Sequence, residues 1–322
     1  MPFFDMPLEK LRTFQMPDYQ PADLDAFWSR TLAEASQFPL DARFEKLEEP
    51  YFKLVEAYDV TFAGFGGHPI KGWFVRPAGA TGKLPCVVSY IGYGGGRALA
   101  IEHLSWATAG YANLVMDTRG QGAGWSPGGT ADPVGSGPFQ MGFMVRGIES
   151  PDSYYYRRVF TDAARAVDVA AAHPGVDASR VAVTGGSQGG GIAIAAAALA
   201  GRKVKLAMPD VPFLCAFRRA ADIIDTAPYN EISNYLKVHR HSVKSVFDTL
   251  AYFDGVNLAS RITARCLFSV GLMDTTCPPS TIFAAYNRLS GPKEICVYEF
   301  NNHEGGGVLH HQEKLRFAAK HL

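Results

Sequence analysis

Apolar and polar positions follow two patterns along the chain. Residues 21–37 repeat apolar side chains at helical spacing and predict an amphipathic helix. The segments VEAYDVTFAG (55–64) and IKGWFVRP (70–77) read as extended strands, and Gly66 and Gly67 between them predict an antiparallel pair. Short continuous apolar runs then take over: PCVVSYIG (85–92), ANLVMDTR (112–119), RVAVTGGS (180–187), VKLAMPDV (204–211), ARCLFSVGL (264–272) and EICVYEF (294–300), with helical stretches between them. A strand that is apolar on both sides needs cover on both faces, so these runs predict a parallel sheet between layers of helices. Such sheets place their ligand sites at the carboxyl ends of the strands.

Two stretches depart from the alternation. Residues 123–150 are rich in Gly and Pro and lack a helical period, which predicts a long ordered loop or projecting hairpin. Residues 212–263 carry several short helical patterns between two strands, where a cap over the site is expected. There is no internal repeat, and 322 residues at 47% hydrophobic can bury one large core. The chain, 1–322, is therefore read as one domain, with an amino-terminal helix and strands over about 1–80.

Charge narrows the partners. Thirty-one basic and thirty-one acidic residues cancel without a run of five like charges, which points away from nucleic acid and anionic membranes. No run of eighteen apolar residues occurs, and MPFFDMPLEKLRTF lacks the pattern of a secretory signal, so a cytoplasmic location is expected. Five cysteines (Cys86, Cys215, Cys266, Cys277, Cys296) form no CxxC pair and predict reduced structural thiols.

The chemistry begins at Val181-Ala-Val-Thr-Gly185-Gly186-Ser187-Gln188-Gly189, an apolar strand running into G-x-S-x-G and then an alanine-rich helix. That is the setting of a nucleophile elbow, in which a sharp turn lifts the serine and small neighbours let the chain pass closely. Ser187 is the candidate nucleophile, and the Gln188 N–H at the helix start is the first candidate oxyanion donor. The fold class that accommodates this motif is the α/β-hydrolase. Its second donor comes from the loop after an earlier strand, here Tyr90-Ile-Gly-Tyr93-Gly-Gly-Gly96, and Tyr93 N–H is the candidate. Arg119, followed by Gly120 and Gln121 after another strand, could bind a carboxylate or brace loops beneath the site, and bracing is favoured.

A serine hydroxyl needs a histidine to take its proton and a carboxylate to orient that histidine. The chain order serine, acid, histidine removes His68, His103 and His173. His239 and His241 lie in the helical insertion and His310, His311 and His321 in the last helix, whereas His303 lies in the loop after the last strand. Asp274 follows the penultimate strand and is the favoured acid. Asp210, which also ends a strand, is its rival and is otherwise expected to serve a loop or cap a helix.

These segments together carry a resemblance. YIGYGGGR (90–97), DTRGQGAGW (117–125), GGSQGGGIA (185–193), SVGLMDTTCPPST (269–281) and YEFNNHEGGG (298–307) resemble the cephalosporin C deacetylase and acetyl xylan esterase family, carbohydrate esterase family seven. FFDMPLEKL (3–11), YYYRRVFTDA (154–163) and DVPFLCAFRRA (210–220) extend the likeness over nearly the whole chain. The resemblance implies a catalytic triad of Ser187, Asp274 and His303, with oxyanion donors at Tyr93 and Gln188. It also implies a cytoplasmic acetylesterase without cofactor or metal, acting on xylo-oligosaccharides and cephalosporins. A hexamer of two stacked trimers is implied as well, with 123–150 and its FQMGFMV segment supplying the subunit contact. Two other readings share parts of this pattern. A prolyl-oligopeptidase-type peptidase has the same elbow but usually a propeller, for which some fifty residues before the first strand leave no room. A binding protein on the same fold would usually have lost part of the triad.

Overall fold

The structure is a computed structural model that describes residues 3–134 and 141–322. Among these residues nine strands form one sheet: β1 (Arg43–Lys46), β2 (Val55–Ala63), β3 (Pro69–Pro77), β4 (Leu84–Tyr90), β5 (Ala112–Met116), β6 (Val176–Gly186), β7 (Leu206–Asp210), β8 (Arg265–Gly271) and β9 (Lys293–Tyr298). Their order is β1-β2-β3-β5-β4-β6-β7-β8-β9. The first three strands and the β3–β5 pairing are antiparallel, and every pairing from β5 through β9 is parallel. This is the mostly parallel, helix-covered sheet predicted from the apolar runs. The 55–64 and 70–77 strands also pair as expected, through a turn in which Gly66 and Gly67 take positive φ. The edge strand β1, exposed along most of its length, has no apolar run to announce it.

Among the described residues eleven α-helices accompany the sheet: α1 (Leu8–Leu11), α2 (Leu24–Ser36), α3 (Ser105–Thr108), α4 (Tyr155–Ala172), α5 (Gln188–Ala200), α6 (Phe217–Ile223), α7 (Asn230–Val238), α8 (Val243–Ala251), α9 (Gly255–Ala259), α10 (Pro279–Arg288) and α11 (Gly307–His321). Successive side chains of a strand point to opposite faces, and the core divides accordingly. Cys86, Val88 and Tyr90 of β4 join the larger cluster with residues of α2, α4, α5 and α10, while Val87 between them joins Trp106 of α3 and Phe317 of α11. The same alternation runs through β6, where Val181 and Val183 face one side and Ala182 the other. Helices α6 to α9 fill the segment between β7 and β8.

Buried arginines tie the loops to this frame. Arg119 is fully buried and grips Asp162 of α4 through two bonds, Nε to Oδ2 at 2.6 Å and Nη2 to Oδ1 at 2.7 Å. Its Nη1 lies 3.5 Å from Asp132 of the Gly-rich insertion, which Arg158 also holds at 2.7 Å. Arg165 donates to the carbonyls of Ala35, Phe38 and Ala63, fastening the end of α2 and the hairpin to α4. Arg119 is thus a brace rather than an open anion site. Removing one member of a buried pair leaves an uncompensated charge. Arg119→Leu is expected to cost about 3–5 kcal/mol, read as a lowered urea midpoint with an unchanged slope.

Candidate active site

The turn after β6 sets the geometry. Ser187 takes φ 56° and ψ −119°, a conformation an L-residue adopts only under constraint. The constraint is close backbone packing. A Cβ on Gly189 would lie 2.2 Å from the Tyr90 carbonyl oxygen, and one on Gly185 would lie 2.5 Å from the Gly189 backbone. Ser187 N–H donates to the Asp210 carbonyl at 2.9 Å, and its own carbonyl accepts from Phe213 N–H at 2.9 Å. The serine therefore stands half-buried between strand and helix, beside the ends of β4 and β7.

Asp274 and His303 meet behind it. Asp274 is fully buried, and each carboxylate oxygen is engaged: Oδ1 accepts the N–H groups of Thr276 and Cys277 at 2.8 Å, and Oδ2 lies 2.9 Å from His303 Nδ1. The loop carrying His303 is seated by Met273 N–H on the Asn301 carbonyl and Thr275 N–H on Asn302 Oδ1, each at 3.1 Å. With Nδ1 turned toward the acid, Nε2 is the ring nitrogen left for the cavity. Ser187, His303 and Tyr93 line that cavity together, with a volume of about 600 Å³, and Ala227 and Pro228 from the segment between α6 and α7 wall it. Burial pushes the Cys277 thiol well above the ordinary thiol range. Asp274, Cys277 and His303 present ligand atoms within 4.8 Å of one another. That cluster contains the aspartate–histidine bond. A larger groove, about 1000 Å³ between residues 16–23 and α8, is lined by no serine, cysteine or histidine.

The two oxyanion candidates belong to the loop after β4 and to the first residue of α5. No hydrogen bond occupies the N–H of Tyr93 or of Gln188 among the described residues. Their loops are joined by two buried amides. Gln121 Nε2 donates to Gln188 Oε1 at 2.8 Å, Gln188 Nε2 donates to Gln121 Oε1 at 3.1 Å, and the same Gln121 oxygen accepts Gly94 N–H at 2.7 Å. Tyr156 donates to Gln188 Oε1 at 2.8 Å, and Gln188 Nε2 reaches the Ile91 carbonyl at 3.1 Å. Trp125, 65% exposed at the cavity mouth, donates Nε1–H to the Tyr93 carbonyl at 2.8 Å. Its ring lies where a Cβ on Gly95 would come within 2.3 Å.

Asp210 requires a correction. It neither serves a loop nor caps a helix: its carboxylate lies 2.9 Å from His310 Nε2 and contacts Lys314 Nζ, both on α11. Burial raises the Asp210 carboxyl, but Lys314 and His310 outweigh it and hold the group below the usual carboxylate value. Asp210 lines the same cavity, yet its charge is committed to α11. Gln121, Trp125 and Glu231, which meets the Tyr93 side chain, escaped the sequence reading. Gln121 sits beside the arginine that was weighed and Trp125 in a Gly-rich stretch, while nothing near Glu231 in sequence marks it.

A serine on a strand-to-helix turn, an aspartate–histidine pair on later loops and a mostly parallel sheet define an α/β-hydrolase of the esterase class. Within that class the sequence is specific. Residues 1–321 match the profile of the family described as acetyl xylan esterase (AXE1), and the chain belongs to that family of esterases. The acetyl xylan esterase from Paenibacillus sp. R4 is 44% identical, covers 98% of this chain and 100% of its own, and superposes with a TM-score of 0.91. Acetyl xylan esterase 1 from Thermoanaerobacterium sp. JW/SL YS485 is 36% identical, with coverage of 97% and 99% and a TM-score of 0.87. Acetyl esterase Axe7A of Xylanibacter ruminicola is 28% identical over 88% of this chain, which spans 63% of that protein's length.

Gly271 gives a test of how the pair is held. A Cβ there would come 2.3 Å from the Asn302 carbonyl oxygen, so Gly271→Ala must displace the His303 loop. Loss of the downfield proton resonance of the His303 Nδ1–H is the expected outcome, with far-UV circular dichroism retained.

Proposed function

We propose that this protein is a serine acetylesterase that removes acetyl groups from short xylo-oligosaccharides and from cephalosporin C-type compounds through an acetyl-enzyme intermediate. The observation that carries this reading is the Asp274–His303 bond at 2.9 Å on a cavity shared with Ser187. His303 Nε2 accepts the Ser187 proton as the oxygen attacks the acetyl carbonyl. Charge that develops on the carbonyl oxygen is met by the N–H groups of Tyr93 and Gln188. The alcohol leaves with the proton returned by His303, and water activated by the same imidazole then releases acetate. No step calls on a cofactor or metal.

Family membership supports acetyl as the acyl group and acetylated carbohydrate as the substrate. The exposed Trp125 ring at the mouth suits the apolar face of a sugar. A cavity of about 600 Å³ suits a small substrate. The deacetylation of cephalosporins rests on the sequence resemblance. No helix among the described residues is long and apolar enough to cross a membrane. In this reading residues 1–322 act as one α/β-hydrolase domain, in which 212–263 forms a cap.

The same reading assembles six chains with the active sites facing inward, and residues 123–150 make the subunit contact. Part of the FQMGFMV segment, residues 139 and 140, lies outside the described residues. Val134 and Met141 of the same loop are 65% and 50% exposed and would be covered in such an assembly. Light scattering is expected to report six chains for the intact protein and fewer after the loop is shortened; an unchanged assembly after shortening would remove the loop from the interface.

The activity is tested by acetate release from acetylated xylo-oligosaccharides, cephalosporin C and a matched butyryl ester. Ser187→Ala is expected to lower kcat by at least about 10⁴-fold, and Asp274→Asn by about 10⁴-fold. Wild-type rates in Ser187→Ala, or faster turnover of the butyryl ester, would overturn the nucleophile or the acyl group respectively.

A further inference from the structure

We infer that Glu231 is a positioning residue for the oxyanion site, holding the Tyr93 hydroxyl so that the Tyr93 N–H stays aimed at the reacting carbonyl. This rests on the reading of Tyr93 N–H as an oxyanion donor. The donor sits in Gly92-Tyr93-Gly94-Gly95-Gly96, four glycines around one side chain, outside every helix and strand. A backbone of that composition has little conformational preference of its own, so its direction depends on what grips it.

Tyr93 supplies the grip. Its ring is 8% exposed and packs edge-on against Phe143 at 5.6 Å and Phe213 at 5.8 Å between centroids. The hydroxyl ends on Glu231 of α7, 2.9 Å from Oε1 and 2.8 Å from Oε2, 138 residues further along the chain. The same carboxylate accepts Gly142 N–H at 3.0 Å and Met144 N–H at 3.1 Å, and Phe143 N–H donates to the tyrosine hydroxyl at 2.9 Å. Glu231 therefore joins three segments at one point: the oxyanion loop, the end of the Gly-rich insertion, and a helix between β7 and β8. On the backbone side, Trp125 holds the Tyr93 carbonyl and Gln121 holds the next N–H. With the carbonyl, the following amide and the side-chain tip all fixed, the Tyr93 N–H is the polar group of that residue left for a ligand.

Preorganised donors stabilise a transition state because they need not reorient as charge develops. A donor that loses one of its anchors still exists but spends part of its time misdirected. The expected loss is therefore smaller than the roughly 10²–10³-fold that follows removal of an oxyanion donor. It should also fall on kcat rather than on KM, since the oxyanion forms only after binding.

The test uses the full chain with Tyr93→Phe, Glu231→Gln and the double variant. The readouts are kcat and KM for 4-nitrophenyl acetate and the rate at which a fluorophosphonate labels Ser187, at a temperature well below each variant's unfolding midpoint. Tyr93→Phe keeps the ring packing and removes only the hydroxyl, so it tests the link even where Glu231→Gln loosens the insertion. Each single variant is expected to lower kcat and the labelling rate together by about tenfold, with KM within about twofold. The double variant should be no slower than the slower single one, because both changes break one link. Wild-type kcat and labelling in Tyr93→Phe, or additive losses in the double variant, would overturn the positioning role. The serine reading would still stand if Ser187→Ala, assayed alongside, had lost acetate release; activity surviving in Ser187→Ala would overturn both.

Discussion

The close approach of α5 to the end of β4 is the constraint on which the rest of the site depends. Gly189 sits so near the Tyr90 carbonyl that a single added carbon would collide, and this contact forces the backbone at Ser187 into positive φ. The same contact brings the start of α5 beside the Gly92–Gly96 loop. One steric demand therefore lifts the serine and brings Gln188, at the start of α5, close to the loop that carries Tyr93. The reciprocal Gln121–Gln188 amide pair then closes the gap between the segments after β4, β5 and β6. Those amides are buried and fully bonded, and a buried polar pair with every partner in place specifies one arrangement more sharply than apolar packing alone.

Charge is distributed so that the working pair keeps its freedom. Arg119, Asp162, Asp132 and Arg158 neutralise one another beneath the site, and Lys314 with His310 does the same for Asp210. Asp210 is thereby withdrawn from competition for His303 although it lines the same cavity. Asp274 is wholly buried and saturated by two backbone N–H groups, whereas the His303 side chain stays 31% accessible at the cavity wall. Under the proposed mechanism, a fixed acid beside a partly open imidazole suits proton transfer, since the base would meet both an alcohol and a water.

Helices α6 to α9 complete what the sheet begins. Ala227 and Pro228 wall the cavity, and Glu231 reaches back to Tyr93. Residues between β7 and β8 therefore shape the volume in front of the serine and also join the network that holds its surroundings. The Gly-rich insertion takes part through Gly142 and Met144, so two segments that lack the regular strand and helix alternation both converge on the Tyr93 side chain.

The sequence by itself determined the parallel sheet, the antiparallel hairpin before it, the elbow at Ser187 and the strand-end positions of Asp274 and His303. These rest on local rules: apolar runs that need two-sided cover, glycines where the chain must turn or pass closely, and chain order along one sheet. Only the tertiary structure decided that Asp210 answers to Lys314 and His310, that Gln121 and Gln188 exchange amide bonds, and that Glu231 meets the Tyr93 hydroxyl. The edge strand β1 was likewise settled by pairing with β2, since its own residues carry no apolar signal. Each of these contacts links residues far apart in sequence through side chains whose neighbours say nothing about direction. Local spacing tells which face or end of an element a residue occupies; which distant group it meets there follows from how the elements pack.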